Sequence, residues 1–594
     1  MKPSFYFSKR MLLLLLALFP FILFSQNPYI TVWKTDNPGL SANNQIIFPA
    51  SGSYTYTWFE VGNESNTESG SGTDEMTFDF PYPGTYQLEI VPSGTVPFHK
   101  FTLDGFNHPG IHGIMIYEDD SEKIIDLKSW GDVNWSSFEK AYYQASNLSI
   151  TAIDIPDLSL VENMSRAFTG TSLIGGIPGI NNWDVSNVTN MSGTFSGANY
   201  FNSPLSNWDV SNVTDMSFMF SSCSAFNQPI NSWNVGNVTN MRGMFMSTDF
   251  DQFIGSWNVS KVTNMSYMFS GTFYFDQPLN TWNVSNVTDM SNMFSLARSF
   301  NKPLNFWNTA NVTDMSFMFS NAEKFNSSIE NWNTLNVTNM KAMFGEAYNF
   351  NQPIGSWKVG NVTDMSYMFN STNMFNQFIG YWDVSHVENM EFMFTYSNLF
   401  NQDLSEWDVS NVKNFLFIFD NANSFNQSLG TWKLNSVDNG FAPRFSSTAV
   451  DCENYSKTIM GWANNPLIQP SLSFYNSEKT YSPDVIQERD YLINEKNWTI
   501  GGDSEGDCTI LSTNEAISVE FQIYPNPATN QFHIDGLKGN ETIDILDSSG
   551  KLLQSTKVTT NLMSFNIQSL TPGIYRLIIT DKSGRKTLKS LLKK

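Results

Sequence analysis

A tryptophan returns every 25 residues through the middle of this 594-residue chain. It stands at Trp183, Trp208, Trp233, Trp257, Trp282, Trp307, Trp332, Trp357, Trp382, Trp407 and Trp432, and only the step from Trp233 to Trp257 is one residue short. Other columns keep pace with it. Eight residues on, a methionine runs from Met191 to Met390 and gives way to Phe415; twelve on, a phenylalanine runs from Phe195 to Phe419. Near eighteen on comes another ring, as in Phe201, Phe226 and Phe275. A fixed period of this length marks a repeat architecture, in which each unit covers its apolar side with the next unit.

The order within one unit predicts how the chain turns. Leu205-x-x-Trp208-x-Val210-x-x-Val213 fits the apolar frame of a leucine-rich repeat. Trp208 and Val210 flank Asp209, which predicts a short strand with two side chains inward and one outward. Met216, Met219 and Phe220 predict one helical or 3₁₀ turn on the other side of the coil, and Phe226-Asn-Gln-Pro229 predicts a return turn. The tryptophan, methionine and phenylalanine columns are read as core. Asparagines four past the tryptophan, among them Asn187, Asn212, Asn237 and Asn286, are expected to form a ladder that satisfies turn backbone. The Asp/Asn column seven past the tryptophan offers oxygen ligands but no glycine-spaced loop to arrange them, so no metal or other cofactor is expected.

Composition narrows the function classes. A net charge of −23 with 15% charged residues argues against nucleic-acid partners, whose phosphates need basic stripes. Lys2, Lys9 and Arg10 precede an apolar run from Met11 to Phe24, which predicts a secretion signal over residues 1–25, cleaved near Gln26. No other segment is apolar enough to cross a membrane. Of three cysteines, Cys452 and Cys508 flank the stretch after the last coil and are expected to pair in an exported chain. Cys223, inside the array, is expected to be an inert buried thiol.

The flanks differ in texture. Residues 26–126 read as short strands with turn punctuation, and Tyr82-Pro-Gly-Thr-Tyr86 followed by Gln-Leu-Glu-Ile-Val91 resembles the closing strand of an immunoglobulin-like module of the PKD type. The array is placed at 127–440, with a weaker first coil at Val161-Glu-Asn-Met164. Residues 441–501 drop the repeat, show two helical stretches (Tyr455–Trp462 and Pro483–Asn494) and are read as its C-terminal cap. Residues 502–519 are read as a linker.

Two resemblances follow. The phrases Trp-Asp/Asn-Val-Ser-Asn-Val-Thr-Asp/Asn-Met and Met-Phe…Phe-Asn-Gln-Pro resemble the BspA family of leucine-rich-repeat surface proteins over about residues 100–500. This implies an α/β leucine-rich-repeat solenoid of about eleven coils between an N-terminal β-sandwich and a C-terminal β-sandwich, on the surface of a bacterium. It further implies adhesion to matrix proteins, cells or surfaces. The tail, 520–594, opens on Phe521-Gln-Ile-Tyr524-Pro525-Asn526-Pro527, continues with Ile543-Asp-Ile-Leu-Asp547, Gly573 and Tyr575, and ends in a lysine-rich run. It resembles a type A sorting domain of the type IX secretion system, which implies contact with that machinery, removal after outer-membrane passage, and a Bacteroidetes-type source.

Nothing in the chain reads as an enzyme. His108-Pro-Gly-Ile-His112 has helical ligand spacing, but Pro109-Gly110 makes it a turn, and His386 only replaces the usual Asn of one coil. No nucleophile elbow, phosphate loop or dinucleotide fingerprint is present. The function expected is an adhesin or recognition scaffold for an extracellular protein or glycan, with a self-associating surface-layer component and a polysaccharide-binding accessory protein as alternatives. Outward positions beside the tryptophans are mostly small and polar. The exceptions, Phe306, Leu335, Lys358, Tyr381 and Glu406, mark where a binding patch is sought.

Overall fold

The structure is a computed structural model. It describes residues 26–510 apart from 104–107, 110–114 and 117–118, and residues 522–594 apart from 525, 536, 538, 540, 548–550, 559–561 and 581–585. The expected signal at 1–25, His112, Pro525 and the section 511–519 of the expected linker lie outside the described residues. The chain divides into two compact units, 1–510 and 511–594.

The first unit begins with a six-stranded sheet in the order Ser149–Ile150, Ile124–Ser129, Tyr29–Lys34, Thr85–Pro92, Ser53–Glu60, Asn63–Thr73. Two short pairs, Gln45–Phe48 with Met76–Asp79 and Ala50–Ser51 with Lys100–Phe101, accompany it. Alternation drives these strands: in Ser53–Glu60 the buried residues are Tyr54, Tyr56 and Trp58, every second one. The boundary expected at 126/127 falls inside Ile124–Ser129. That strand pairs antiparallel with Tyr29–Lys34 and parallel with Ser149–Ile150. Ring contacts carry the core of these strands into the array without a break: Tyr29 on Trp135 at 5.4 Å, Trp130 on Trp183 at 5.1 Å, Tyr142 on Phe168 at 5.5 Å.

The array is a stack of coils, but its ladder is not where the sequence placed it. No strand forms at Trp208–Val210, although Trp208 and Val210 are buried and Asp209 is exposed as the alternation requires. Coils are joined instead by single parallel bridges from Asn163 through Asn190 and Asp215 to Asn414, which from Asn190 on lie seven residues past the tryptophans Trp183 to Trp407. The expected helical turn at Met216–Phe220 is also absent. The N–H groups of Met216, Phe218, Phe220 and Ser222 donate to the carbonyls of Asn240, Arg242, Met244 and Met246 in the next coil at 2.7–3.0 Å. The intervening N–H groups of Met219, Ser221 and Cys223 close turns onto Met216, Phe218 and Phe220. Every second peptide thus serves the stack, and every other one the turn. Phe218 and Ser222 sit at φ 55° and 56°, a left-handed backbone no α-helix contains. The repeat region is therefore built of turns and bridges with little helix, and the α/β expectation gives way to a mostly β unit.

The C-terminal end is closed by helix α1 (Cys452–Ala463), capped by Asp451, which contains the expected Tyr455–Trp462, and helix α2 (Ile486–Asn494), which falls within the expected Pro483–Asn494. Cys452 is bonded to Cys508. Residues 502–510, expected to be linker, belong to this cap. Ser504–Glu505 pairs with Thr480–Tyr481, and the buried carboxylate of Asp503 takes Arg489 at 2.8 Å and the Tyr455 hydroxyl at 3.1 Å. A polar composition hid a stretch anchored by one buried, paired carboxylate.

The second unit holds a three-stranded sheet (Gln522–Tyr524, Gln531–Asp535, Leu562–Asn566) and a four-stranded sheet (Leu552–Lys557, Thr542–Leu546, Gly573–Thr580, Lys586–Lys593) around one small core, with Phe532 stacked on Phe565 at 5.0 Å.

Candidate recognition surface

What the core consumes defines what is left for recognition. Each indole N–H from Trp208 to Trp432 is buried and needs an acceptor, and it finds a carbonyl of the preceding coil. Trp208 reaches Ile180 at 2.7 Å, Trp307 reaches Leu279 at 2.9 Å and Trp432 reaches Leu404 at 3.0 Å. Trp462 of α1 repeats the bond to Leu429. At the head of the series the Trp183 indole nitrogen has no partner among the described residues. The expected asparagine ladder is present: the Asn212, Asn237 and Asn286 amides donate to Ser186, Ser211 and Ser260 at 2.7 Å, and Asn187 donates to Ser159 at 2.8 Å.

A second ladder was not foreseen. From Asn202 to Asn426, the Asn or Asp after the ring eighteen past the tryptophan accepts the backbone N–H of its counterpart in the next coil. The chain runs Asn202, Asn227, Asp251, Asp276 and onward to Asp451. The signal lay in the recurring Phe-Asn/Asp-Gln phrase, which the sequence reading used only as a turn. Cys223 is buried with its thiol 3.0 Å from the Ala198 carbonyl, and burial pushes its pKa well up, consistent with an inert thiol. The aspartates and asparagines seven past the tryptophan accept their own backbone two residues on, as Asp215 does from Ser217 at 2.8 Å. Among the described residues, no group of three or more His, Cys, Asp or Glu could hold one metal ion.

The side chains left over fall in three columns. Beside the tryptophans, Phe306 is 76% exposed, Leu335 55% and Tyr381 51%, and Lys358 and Glu406 are exposed as well. They stand on five successive coils, beside Trp307, Trp332, Trp357, Trp382 and Trp407, and Tyr381 meets Phe378 edge-on at 4.9 Å. The second column, sixteen or seventeen past the tryptophan, exposes Tyr200, Phe273, Tyr274, Tyr348, Met374 and Leu399. Arg298 lies 5.0 Å over Phe273 and pairs with Glu323 at 3.3 Å. The third, ten past the tryptophan, is half-buried: Phe218, Tyr267, Phe317, Tyr367, Phe392 and Phe417. Arg242 covers both Phe218 and Tyr267, at 5.6 and 5.4 Å, and Arg444 covers Phe417 at 4.5 Å. Tyr367 stacks on Phe392 at 4.8 Å, and burial, aided by the Glu391 charge, raises its pKa. Two columns of aromatic side chains thus escaped the sequence reading. The clue to the third was Gly193 and Gly243, which share a column with these rings because that backbone is left-handed throughout.

In the tail, Asn526 of the Tyr-Pro-Asn-Pro phrase accepts the Leu592 N–H at 2.8 Å and donates to the Ser590 carbonyl at 2.9 Å, tying the opening to the last strand. Tyr575, in the strand that Gly573 opens, is buried and donates its hydroxyl to the Thr571 carbonyl at 2.7 Å. Tyr524 lies in a strand, in register with His533. Among the described residues no helix is long and apolar enough to cross a membrane.

Comparison with known proteins gives two matches. Residues 136–252, 241–357, 302–399 and 346–462 match the family described as Mycoplasma protein of unknown function, DUF285, which together covers more than half of the chain. Residues 522–594 match the secretion system C-terminal sorting domain, which implies the type IX route. No curated protein matches the chain.

Proposed function

This chain belongs to the DUF285 family, described as Mycoplasma protein of unknown function, and from that premise we propose that it is a non-enzymatic recognition scaffold displayed at the cell surface or released. Its repeat would be of the BspA leucine-rich type, and it would adhere to an extracellular protein or glycan. The carrying observation is the placement of large apolar side chains where the stack has no use for them. Phe306, Tyr274 and Tyr200 are each more than 60% exposed, and Tyr381, Met374 and Leu399 at matching positions are exposed as well, a distribution that marks interaction surface. The sorting tail supports delivery to the exterior.

The capped ends favour recognition over open-ended self-association. The N-terminal strands pack on the start of the array, Tyr29 on Trp135 and Phe101 on Tyr142, and α1 takes over the indole bond at the other end through Trp462. Neither terminal coil is left as a template for a second copy.

The test is a binding screen of the exported protein against matrix proteins and glycans, with sedimentation alongside. Saturable binding by a monomer is the expected result; concentration-dependent assembly without a ligand would overturn it. Replacing Phe306, Leu335 and Tyr381 together by serine then asks whether the tryptophan-side column carries the contact. Undiminished binding by a folded variant moves the surface to the other columns.

A further inference from the structure

The aromatic column ten past the tryptophan is interrupted at Gly193, and there the surface opens into a cavity of about 320 Å³. This is at the small end of the roughly 300–1,000 Å³ typical of ligand sites. Its lining is chemically uneven. Tyr143 and Phe218 contribute rings, Ser192, Ser196 and Ser217 contribute hydroxyls, and Arg166 contributes a guanidinium. Among the described residues the Arg166 side chain makes no hydrogen bond or ion pair, and the three serine hydroxyls have no partner either. Arg298 and Arg489 hold carboxylates and Arg242 and Arg444 cover rings, whereas Arg166 is exposed at the cavity wall.

We propose that this cavity binds a sugar residue bearing an acidic group, a carboxylate or a sulfate. This rests on the recognition reading above and names the ligand class and the place. The backbone here is spent. The N–H groups of Arg166, Gly193 and Phe218 already donate to Ser192, Ser217 and Arg242 at 2.7–2.8 Å, so a peptide cannot add itself as a strand. Recognition must come from side chains, and those present match an acidic sugar. The guanidinium gives paired donors to an oxyanion, the serines take ring hydroxyls as donor or acceptor, and the rings offer apolar faces to the sugar's C–H side.

Two features hold the site ready. Arg242 from the next coil lies over the Phe218 ring, steadying that wall. Gly193, at φ 63°, has the only side-chain-free position that leaves the floor open: an added Cβ would stand 3.3 Å from Cγ of Arg166. Overall acidity does not forbid an anionic ligand, since charges beyond roughly 8–10 Å are screened at physiological salt.

The test is calorimetric titration of the exported protein with a hexuronate oligosaccharide, a sulfated oligosaccharide, a neutral oligosaccharide of equal length and an acidic peptide. At least one acidic sugar should bind, and the neutral sugar and the peptide should not. Arg166→Gln should weaken binding by about tenfold or more, as loss of a charge-assisted hydrogen bond does. Gly193→Asn, whose counterpart Asn292 holds the same conformation at φ 58°, should block the site without touching its charge. Lys341→Gln, elsewhere in the array, should change nothing. Melting of each variant is read in parallel, and a destabilised variant is replaced by Arg166→Lys, expected to bind more weakly but measurably. Equal binding of neutral sugar, preference for the peptide, or binding indifferent to both Arg166 and Gly193 would each overturn the assignment. If no acidic sugar binds while the protein still holds another partner, this proposal falls and the recognition reading stands.

Discussion

The repeat stack and the C-terminal unit are both mostly β, yet they hold together by opposite means. In the stack a side chain packs on its own counterpart one coil away: Trp332 on Trp357 at 6.3 Å, Phe319 on Phe344 at 5.8 Å, with rings nearly parallel. In the tail each core residue occurs once, and closure depends on pairings far apart in sequence, such as Asn526 with Leu592. Stack stability is therefore a sum over neighbours, whereas the tail forms as a whole or not at all. The difference separates the part that can present a surface from the part that can be removed.

The largest expected effect follows from that separation. A chain ending at Ile510 keeps the whole first unit, including the Cys452–Cys508 bond and the buried Arg489–Asp503 pair. It should fold but lose delivery to the exterior almost completely, as fractionation would show; normal surface levels would contradict the sorting role of 522–594. Next, Trp307→Ala removes a stacked ring and the indole bond to Leu279. It should cost the first unit about 3–5 kcal/mol in denaturant unfolding and leave the separately measured tail unmoved. Cys452→Ser reopens a loop of 56 residues and should cost about 2–4 kcal/mol, read as a lower midpoint under non-reducing conditions.

Asn336→Ala removes one ladder bond to the Ala310 carbonyl and should cost about 1 kcal/mol. Asn308→Ala, on an exposed position next to the core tryptophan, should cost under about 0.5 kcal/mol. If the two asparagine variants melt alike, the ladder contributes nothing beyond exposed polarity, and the neighbour-sum account of the stack loses its polar half.

The spacing of Trp, Met and Phe made the stack legible in advance, because those columns are core and a core must repeat if the coils do. The inward Trp208 and Val210 and outward Asp209 were legible for the same reason. What could not be read was the backbone between them. A ladder made by alternate peptides of a turn-rich segment has no β-branched signature, and Phe218 at positive φ carries no mark of it in its own side chain. Only the glycines sharing its column told of it. The candidate patch was legible only as exposure: Phe306, Leu335 and Tyr381 do stand in solvent, but a position one before or three after a core tryptophan says nothing of what the side chain would meet.

The one short coil, Trp233 to Trp257, has a consequence of its own. Its missing residue falls between Phe245 and Phe250, yet these two rings still stack at 4.1 Å, and Phe250 still meets Phe226 at 6.1 Å. The slack is taken up at a corner whose inter-coil bonds survive: Ser222 still donates to the Met246 carbonyl and Ser247 to the Ser270 carbonyl, at 2.7 and 2.8 Å. A coil can therefore lose one residue here without disturbing the register of its neighbours. The length of the stack is thus set in whole coils, while the segments that close its two ends stay as they are.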